Sequence, residues 1–251
     1  MGRQLQRSTL TEQVIEAILD YIAENELRDG AALPPTNTMA SMFDVSVPVV
    51  REAISGLAAI GLIKRQQGRE SVMSTPDAGH LERLLRFRVA NAAVDDRSIH
   101  EYREIVEVGN ARLAARNRTP EALMALEHAF HLLESVKGEE ELHNADVAFH
   151  AAVARAGGND LSVLTLDALA PLLHRHRRRV WSGWVADGGD LDSIVAAHAL
   201  ILDKVRDGDV AGAASAMATH LAQARHGLEH EPASIARLKE AGTLGDAAAA
   251  V

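Results

Sequence analysis

At 251 residues the chain is long enough for one large domain, or for a small domain followed by a medium one. Hydrophobic residues make up 47% and charged residues 24%, as in globular proteins, but aromatics are only 3%. The core must therefore be built from Leu, Val, Ile and Ala, which favours packed helices over a β-sandwich. The absence of cysteine excludes disulfides and thiolate metal sites. No apolar run reaches the roughly 18–20 residues of a membrane span, and the opening MGRQLQRSTLTEQ lacks the apolar segment of a secretory signal, so no membrane partner and a cytoplasmic location are expected. The formal net charge of −9 argues mildly against a nucleic-acid partner. Between Val45 and Thr75, however, Arg51, Lys64, Arg65 and Arg69 face only Glu52 and Glu70, a local surplus of two positive charges.

In chain order, LTEQVIEAILDYIAEN (10–25) carries Leu10, Val14, Ala17, Ile18, Tyr21 and Ile22 on one stripe, an amphipathic helix. Gly30 and the Pro34–Pro35 pair break it. A short helix is expected over 36–43, then a tight turn, then a helix capped by Ser46 with Pro48 in its first turn and stopped at Gly61. LIKRQQGRESVM alternates around a glycine-centred turn and reads as a short β-hairpin. Helix, helix, turn, helix and hairpin is the order of a winged helix-turn-helix, assigned to residues 1–73, with STPDAG (74–79) as linker.

Beyond the linker the pattern is helical throughout, in segments near 80–94, 98–117, 120–136, 139–156, 160–180, 190–207 and 209–229. The expected fold class is therefore mainly α: a winged helix-turn-helix followed by an all-α antiparallel bundle over 80–230. The small-residue tail 231–251 is expected to be flexible.

In a helix-turn-helix the second helix enters the major groove and the wing meets the neighbouring backbone. That places Ser46 and Arg51 against bases and Lys64, Arg65, Gly68 and Arg69 on the wing. The alternative is that Arg51 and Glu52 are merely a solvated helix face. The stretch LPPTNTMASMFDVSVPVVREAISGLAAIGLIKRQQGR resembles the DNA-binding domain of the GntR regulators in its leucine–proline start, valine–serine turn, VREA and the GL before the wing. The chain departs from that family at Asn37, where members typically carry arginine or another polar residue, at Val47, where they carry arginine, and at Pro35–Thr36, where they usually carry Ser-Glu. Two DNA contacts are thus missing, and a modest affinity with an unusual site preference is expected.

In the second module, NADVAFHAAVARAGGND places Asp146 and His150 one turn apart on one helix face. His198 and His220 lie in later helices, each among apolar residues and separated by the turn RDGD. One carboxylate and three imidazoles suit a divalent ion such as Zn²⁺, Ni²⁺, Fe²⁺ or Mn²⁺, zinc foremost. Spacing alone leaves open that these are satisfied core histidines. His80, His100, His128, His131, His143, His226 and His230 are read as surface or helix-end residues, and HRHRRR (174–179) as a charge run at a helix end that is either solvated or serves a partner or an acidic ligand, without assigned function.

YREIVEVGNARLAAR, ADVAFHAAVARAGGN, AAHALILDKVRDGDVAGA and MATHL resemble the FCD ligand-binding domain of the FadR branch of GntR regulators. The resemblance implies that Asp146, His150, His198 and His220 bind a divalent cation and that Arg103 clamps an effector's carboxylate. Ala197 stands where a glutamate often precedes the third ligand. It further implies a homodimeric, ligand-responsive transcription regulator, usually a repressor, reading an inverted repeat in double-stranded DNA and sensing a small organic acid. Three rivals are a regulator with degenerate DNA reading, a metal-free sensor of an acyl thioester, and a metal-dependent hydrolase or lyase. The last lacks any HExxH, GxSxG or phosphate-loop motif.

Overall fold

The computed structural model describes residues 8–66, 70–91 and 94–231. Gly68 and Arg69, assigned above to the wing, lie outside the described residues, as does all of the expected tail beyond Glu231. The chain divides into two compact units between Arg83 and Leu84.

In the first unit, Thr9 caps α1 (Leu10–Glu24). Its hydroxyl accepts the Glu12 N–H at 3.1 Å, and the Glu12 carboxylate accepts the Thr9 N–H at 2.7 Å, a reciprocal capping box. The turn between α2 (Thr36–Met42) and α3 (Val47–Ala59) passes through Asp44 in the left-handed region, φ 51°. Ser46 is the N-cap of α3 as expected, but its side chain makes no capping hydrogen bond, leaving an exposed hydroxyl. The chain leaves α3 through Gly61 at φ +82°. β1 (Ile63–Lys64) then pairs antiparallel with β2 (Val72–Met73), Ile63 opposite Met73 and Lys64 opposite Val72. Val14, Ile18, Leu33, Met39, Val50, Ile54, Leu57 and Ile63 form this unit's core.

α4 (Ala78–Asn91) begins inside the expected linker 74–79. The helical unit continues with α5 (Asp96–Asn117), α6 (Pro120–Glu134), α7 (Glu139–Gly157), α8 (Asp160–Ala186), α9 (Leu191–Asp207) and α10 (Val210–Glu229). The breaks are built from caps. The side chains of Asp95, Thr119, Asn159, Asp190 and Asp209 each accept the N–H three residues on, contributing on the order of 1 kcal/mol apiece. Gly158 and Gly208 close α7 and α9 in the left-handed conformation. Helices α5, α6, α7, α9 and α10 share a core of Ala111, Leu126, Phe149, Val153, Ile201, Val205, Met217 and Leu221. The many core alanines let the helices approach closely, and Phe149, fully buried, contributes roughly 1.5–3 kcal/mol. Among the described residues no helix is long and apolar enough to cross a membrane.

α8 runs on to Ala186, six residues beyond the expected end at 180, with Pro171 accommodated inside it. HRHRRR therefore lies within a helix rather than at its end. Leu173, His176 and Arg177 fall on the buried face at helical spacing, while Arg175 and Arg178 are exposed. The expectation of a charge run at a helix end is corrected accordingly, and its His176 and Arg177 are buried. His100 and His143 are likewise buried, not surface residues.

Candidate metal centre and nucleic-acid interface

Asp146 and His150 of α7 meet His198 of α9 and His220 of α10 in the interior of the helical unit. One ligand atom from each lies within 4.8 Å of all the others. The three imidazole centroids are 5.4 Å (His150–His198), 5.2 Å (His150–His220) and 4.3 Å (His198–His220) apart. His198 Nε2 lies 3.1 Å and His150 Nε2 3.7 Å from the same oxygen, Asp146 Oδ1.

His150 Nε2, His198 Nε2 and His220 Nδ1 are buried and make no well-formed hydrogen bond, although buried polar groups are nearly always satisfied; the first two have the Asp146 carboxylate beside them. Burial pushes the His150 and His220 imidazoles down, His198 and His150 lowering His220 further, while Glu107 and Asp146 oppose the fall at His150. Both shifts favour the neutral ring, the form that offers a lone pair. The opposite edge of two rings is fixed from outside. His198 Nδ1–H donates to the Ile194 carbonyl at 2.8 Å, and His150 Nδ1 meets Glu107 Oε2. Such outer contacts fix the tautomer and aim the ligand atom. The donor set, the orphaned nitrogens and their outer partners fit a divalent cation.

Two arginines complete the arrangement. Arg103 Nε donates to Glu107 Oε1 at 2.7 Å, and Arg177 Nε meets Asp146 Oδ2, leaving Oδ1 toward the histidines. Burial pushes Glu107 and Asp146 up, but Arg103 and His150 around the first, and Arg177 and His150 around the second, hold both well below the usual carboxylate range. Arg103, Arg177, His143, His220, Trp181 and Trp184 line a pocket enclosing about 470 Å³ of space, mouth included.

Glu107 and Arg177 were not singled out from the sequence. Glu107 carried a usable signal, since it follows Arg103 by the same four-residue step that joins Asp146 to His150. Arg177 was obscured by the cations around it.

In the first unit Ser46, Arg51, Lys64 and Arg65 are all exposed. The Arg65 guanidinium donates to Ser55 Oγ at 3.2 Å, and Ser55 Oγ donates to the Arg51 carbonyl at 2.7 Å, so the base of the hairpin is tied to α3. Asn37 is exposed and Val47 partly so.

The family model for bacterial regulatory proteins of the gntR family matches residues 10–72, and that for the FCD domain matches residues 98–223. The chain belongs to the GntR family and carries an FCD domain. This regulator is 30% identical over 204 residues to the HTH-type transcriptional regulator LutR of Bacillus subtilis (strain 168), covering 80% of this chain and 92% of that protein. It is 27% identical over 223 residues to the HTH-type transcriptional repressor NanR of Klebsiella aerogenes, covering 87% and 85% respectively. Among solved structures, Streptococcus agalactiae GntR superposes with a TM-score of 0.68 at 24% identity, covering 86% of this chain and 99% of that one, and so shares its fold. The family acts in transcription and not in catalysis, which sets aside the hydrolase or lyase reading.

Proposed function

We propose that this regulator senses a small organic acid through a divalent ion, zinc first among Zn²⁺, Ni²⁺, Fe²⁺ and Mn²⁺, held by Asp146, His150, His198 and His220. Residues 1–73 read DNA, 80–230 bind effector and mediate dimerisation, and 74–79 join them. The observation that carries the metal reading is the convergence of one carboxylate and three buried imidazoles, one ligand atom from each within 4.8 Å of all the others, with no well-formed hydrogen bond at His150 Nε2, His198 Nε2 or His220 Nδ1.

The charge balance points to the effector class. Glu107 and Asp146 are paired with Arg103 and Arg177, two buried carboxylates against two buried guanidiniums. A bound dication would offer open coordination positions as an electrophilic anchor and leave the site with excess positive charge. Uncompensated buried charge is costly, which favours an anionic ligand alongside. Glu107 plants Arg103 through Nε while Arg103 lines the pocket, a posture suited to gripping a carboxylate.

On the DNA side, Ser46 and Arg51 belong in the major groove, and Lys64 and Arg65, with Gly68 and Arg69, on the flanking backbone. A homodimer would present two such modules to an inverted repeat. The effector can switch it only by binding one arrangement better than the other. Release from DNA, hence repression, is the sign we assign, in keeping with the repressor NanR.

Fluorescence anisotropy on a fragment of the regulator's own promoter tests this, with a panel of small mono-, di- and hydroxycarboxylic acids. One acid should weaken DNA binding by metal-loaded protein and have no effect after chelation. An acid that acts equally on chelated protein would reject the metal-dependent sensor.

A further inference from the structure

We propose a second divalent-cation site, on the surface of the helical unit, formed by Asp187, His226 and His230. It arises where α8 ends against the last turn of α10. The two helices meet through glycines: a Cβ on Gly183 would lie 1.8 Å from the Gly227 carbonyl oxygen, and one on Gly227 would lie 2.5 Å from the Val180 carbonyl oxygen. This approach seats Asp187, the C-cap of α8, over the end of α10. Its own amide donates to the Gly183 carbonyl at 3.0 Å, fixing the backbone.

His226 and His230 leave the end of α10 four residues apart, so both imidazoles project from one face. His226 Nε2 lies 2.6 Å from Asp187 Oδ2, and His230 Nε2 lies 4.0 Å from Asp187 Oδ1. One ligand atom from each residue lies within 4.8 Å of the other two. A surface ion pair needs only one histidine and contributes little. Here two rings lie against each other, tilted by 39° with centroids 4.2 Å apart. His230 is also oriented as a ligand: its Nδ1–H donates to the His226 carbonyl at 2.8 Å, leaving the Nε2 lone pair toward Asp187. Trp184 backs the His226 ring edge-on at 6.1 Å.

Two imidazoles and a carboxylate are donors for a borderline cation such as Zn²⁺. Zinc bonds of about 2.0–2.2 Å in tetrahedral array set neighbouring ligand atoms ~3.3 Å apart. Rotation of these side chains, 39–46% exposed, would draw in His230 Nε2 from 4.0 Å and open the 2.6 Å His226–Asp187 contact, the His226 ring shifting its proton from Nε2 to Nδ1 so that Nε2 can ligate. Water completes the shell. The site shares no residue with the buried cluster, exchanges freely with solvent, and fills after it. Its occupation would staple the C-terminal ends of α8 and α10.

Calorimetric titration of Zn²⁺ into the full-length, untagged, chelator-stripped protein tests the assignment, with circular dichroism to confirm that each variant is folded. Wild type should bind two ions per protomer in two affinity classes. The weaker class should vanish in both His226→Ala/His230→Ala and the near-isosteric Asp187→Asn, and persist in His198→Ala/His220→Ala, which should lose the tighter one. Retention of two ions by both rim variants overturns the site. So does a single wild-type ion that disappears with His198 and His220. A single ion lost only with the rim residues would uphold this site and reject the buried one.

Discussion

The Glu107 carboxylate meets Nδ1 of His150, on the opposite edge of the ring from the Nε2 that faces Asp146. Its other oxygen holds Arg103 at 2.7 Å. One buried residue thus aims a candidate metal ligand and anchors a candidate effector ligand, tying the two halves of the proposed sensor together.

Replacing Glu107→Gln should therefore disturb both. Metal affinity should fall about 10–100-fold, the range for removing an outer partner of a ligating histidine. The apo protein should also lose stability, by roughly 3–5 kcal/mol if Arg103 is left an unpaired buried charge. Calorimetry of Zn²⁺ binding and denaturant unfolding read the two effects. Unchanged metal affinity in a folded variant would remove Glu107 from the account.

The buried histidines set the response to acid. His100 is pushed down to about 4 by burial, with Arg103 and His176 adding to the shift, and His176 is lowered chiefly by burial. Such groups stay neutral in the fold but take a proton in the unfolded chain below its ordinary value near 6.5. The unfolded state then binds more protons, so stability is present above that value and is lost as pH falls from about 6.5 toward 4. Chelated protein should melt at a lower temperature at pH 5 than at pH 7.5, and His100→Phe should flatten the dependence. A midpoint that holds or rises on acidification would contradict this.

On DNA, Arg51→Ala should abolish a specific footprint with little change in melting temperature, because Arg51 is exposed. Lys64→Ala and Arg65→Ala should weaken binding across sequences and each reduce the salt slope by about 1. Asn37 and Val47 offer no cation on α2 and at the start of α3, so the wild-type slope should itself be shallow. A footprint retained by Arg51→Ala would move the interface away from α3.

The α8–α10 contact admits no side chain at its closest point. Gly227→Ala would drive a Cβ to 2.5 Å from the Val180 carbonyl oxygen. Overpacking of this kind costs typically about 1–3 kcal/mol, and backbone rather than a flexible tip must move here. Thermal unfolding should show it, with Gly109→Ala, whose Cβ would meet nothing within 4 Å, as the control.

Much of this was legible because caps and breakers are local. Thr119 before Pro120, Asn159 after Gly158 and Asp209 after Gly208 mark helix ends that the structure reproduces within a few residues. The four candidate ligands were visible for a different reason: a polar residue inside an apolar helical stripe is conspicuous. What escaped was charge buried by pairing. Arg177 looked solvated because it sits in a run of basic residues, and its contact with Asp146 spans 31 positions. His100 and His143 escaped because their burial comes from helices that pack across them, which local pattern does not report. The end of α8 escaped because Ser182 and Gly183 weaken the helical pattern after Val180, whereas in the fold Gly183 is kept in the helix where it packs closely against Gly227.

The central claim is that metal and acid bind together at the buried cluster, and a thermal melt of full-length protein tests it most directly. The midpoint should be read with and without chelator across the panel of carboxylic acids, since a ligand of the native state raises it by mass action. The account predicts that metal alone raises the midpoint and that one acid raises it further only with metal present, both effects vanishing in His198→Ala/His220→Ala. A midpoint indifferent to chelator and to every acid would leave Asp146, His150, His198 and His220 as core residues and contradict the account.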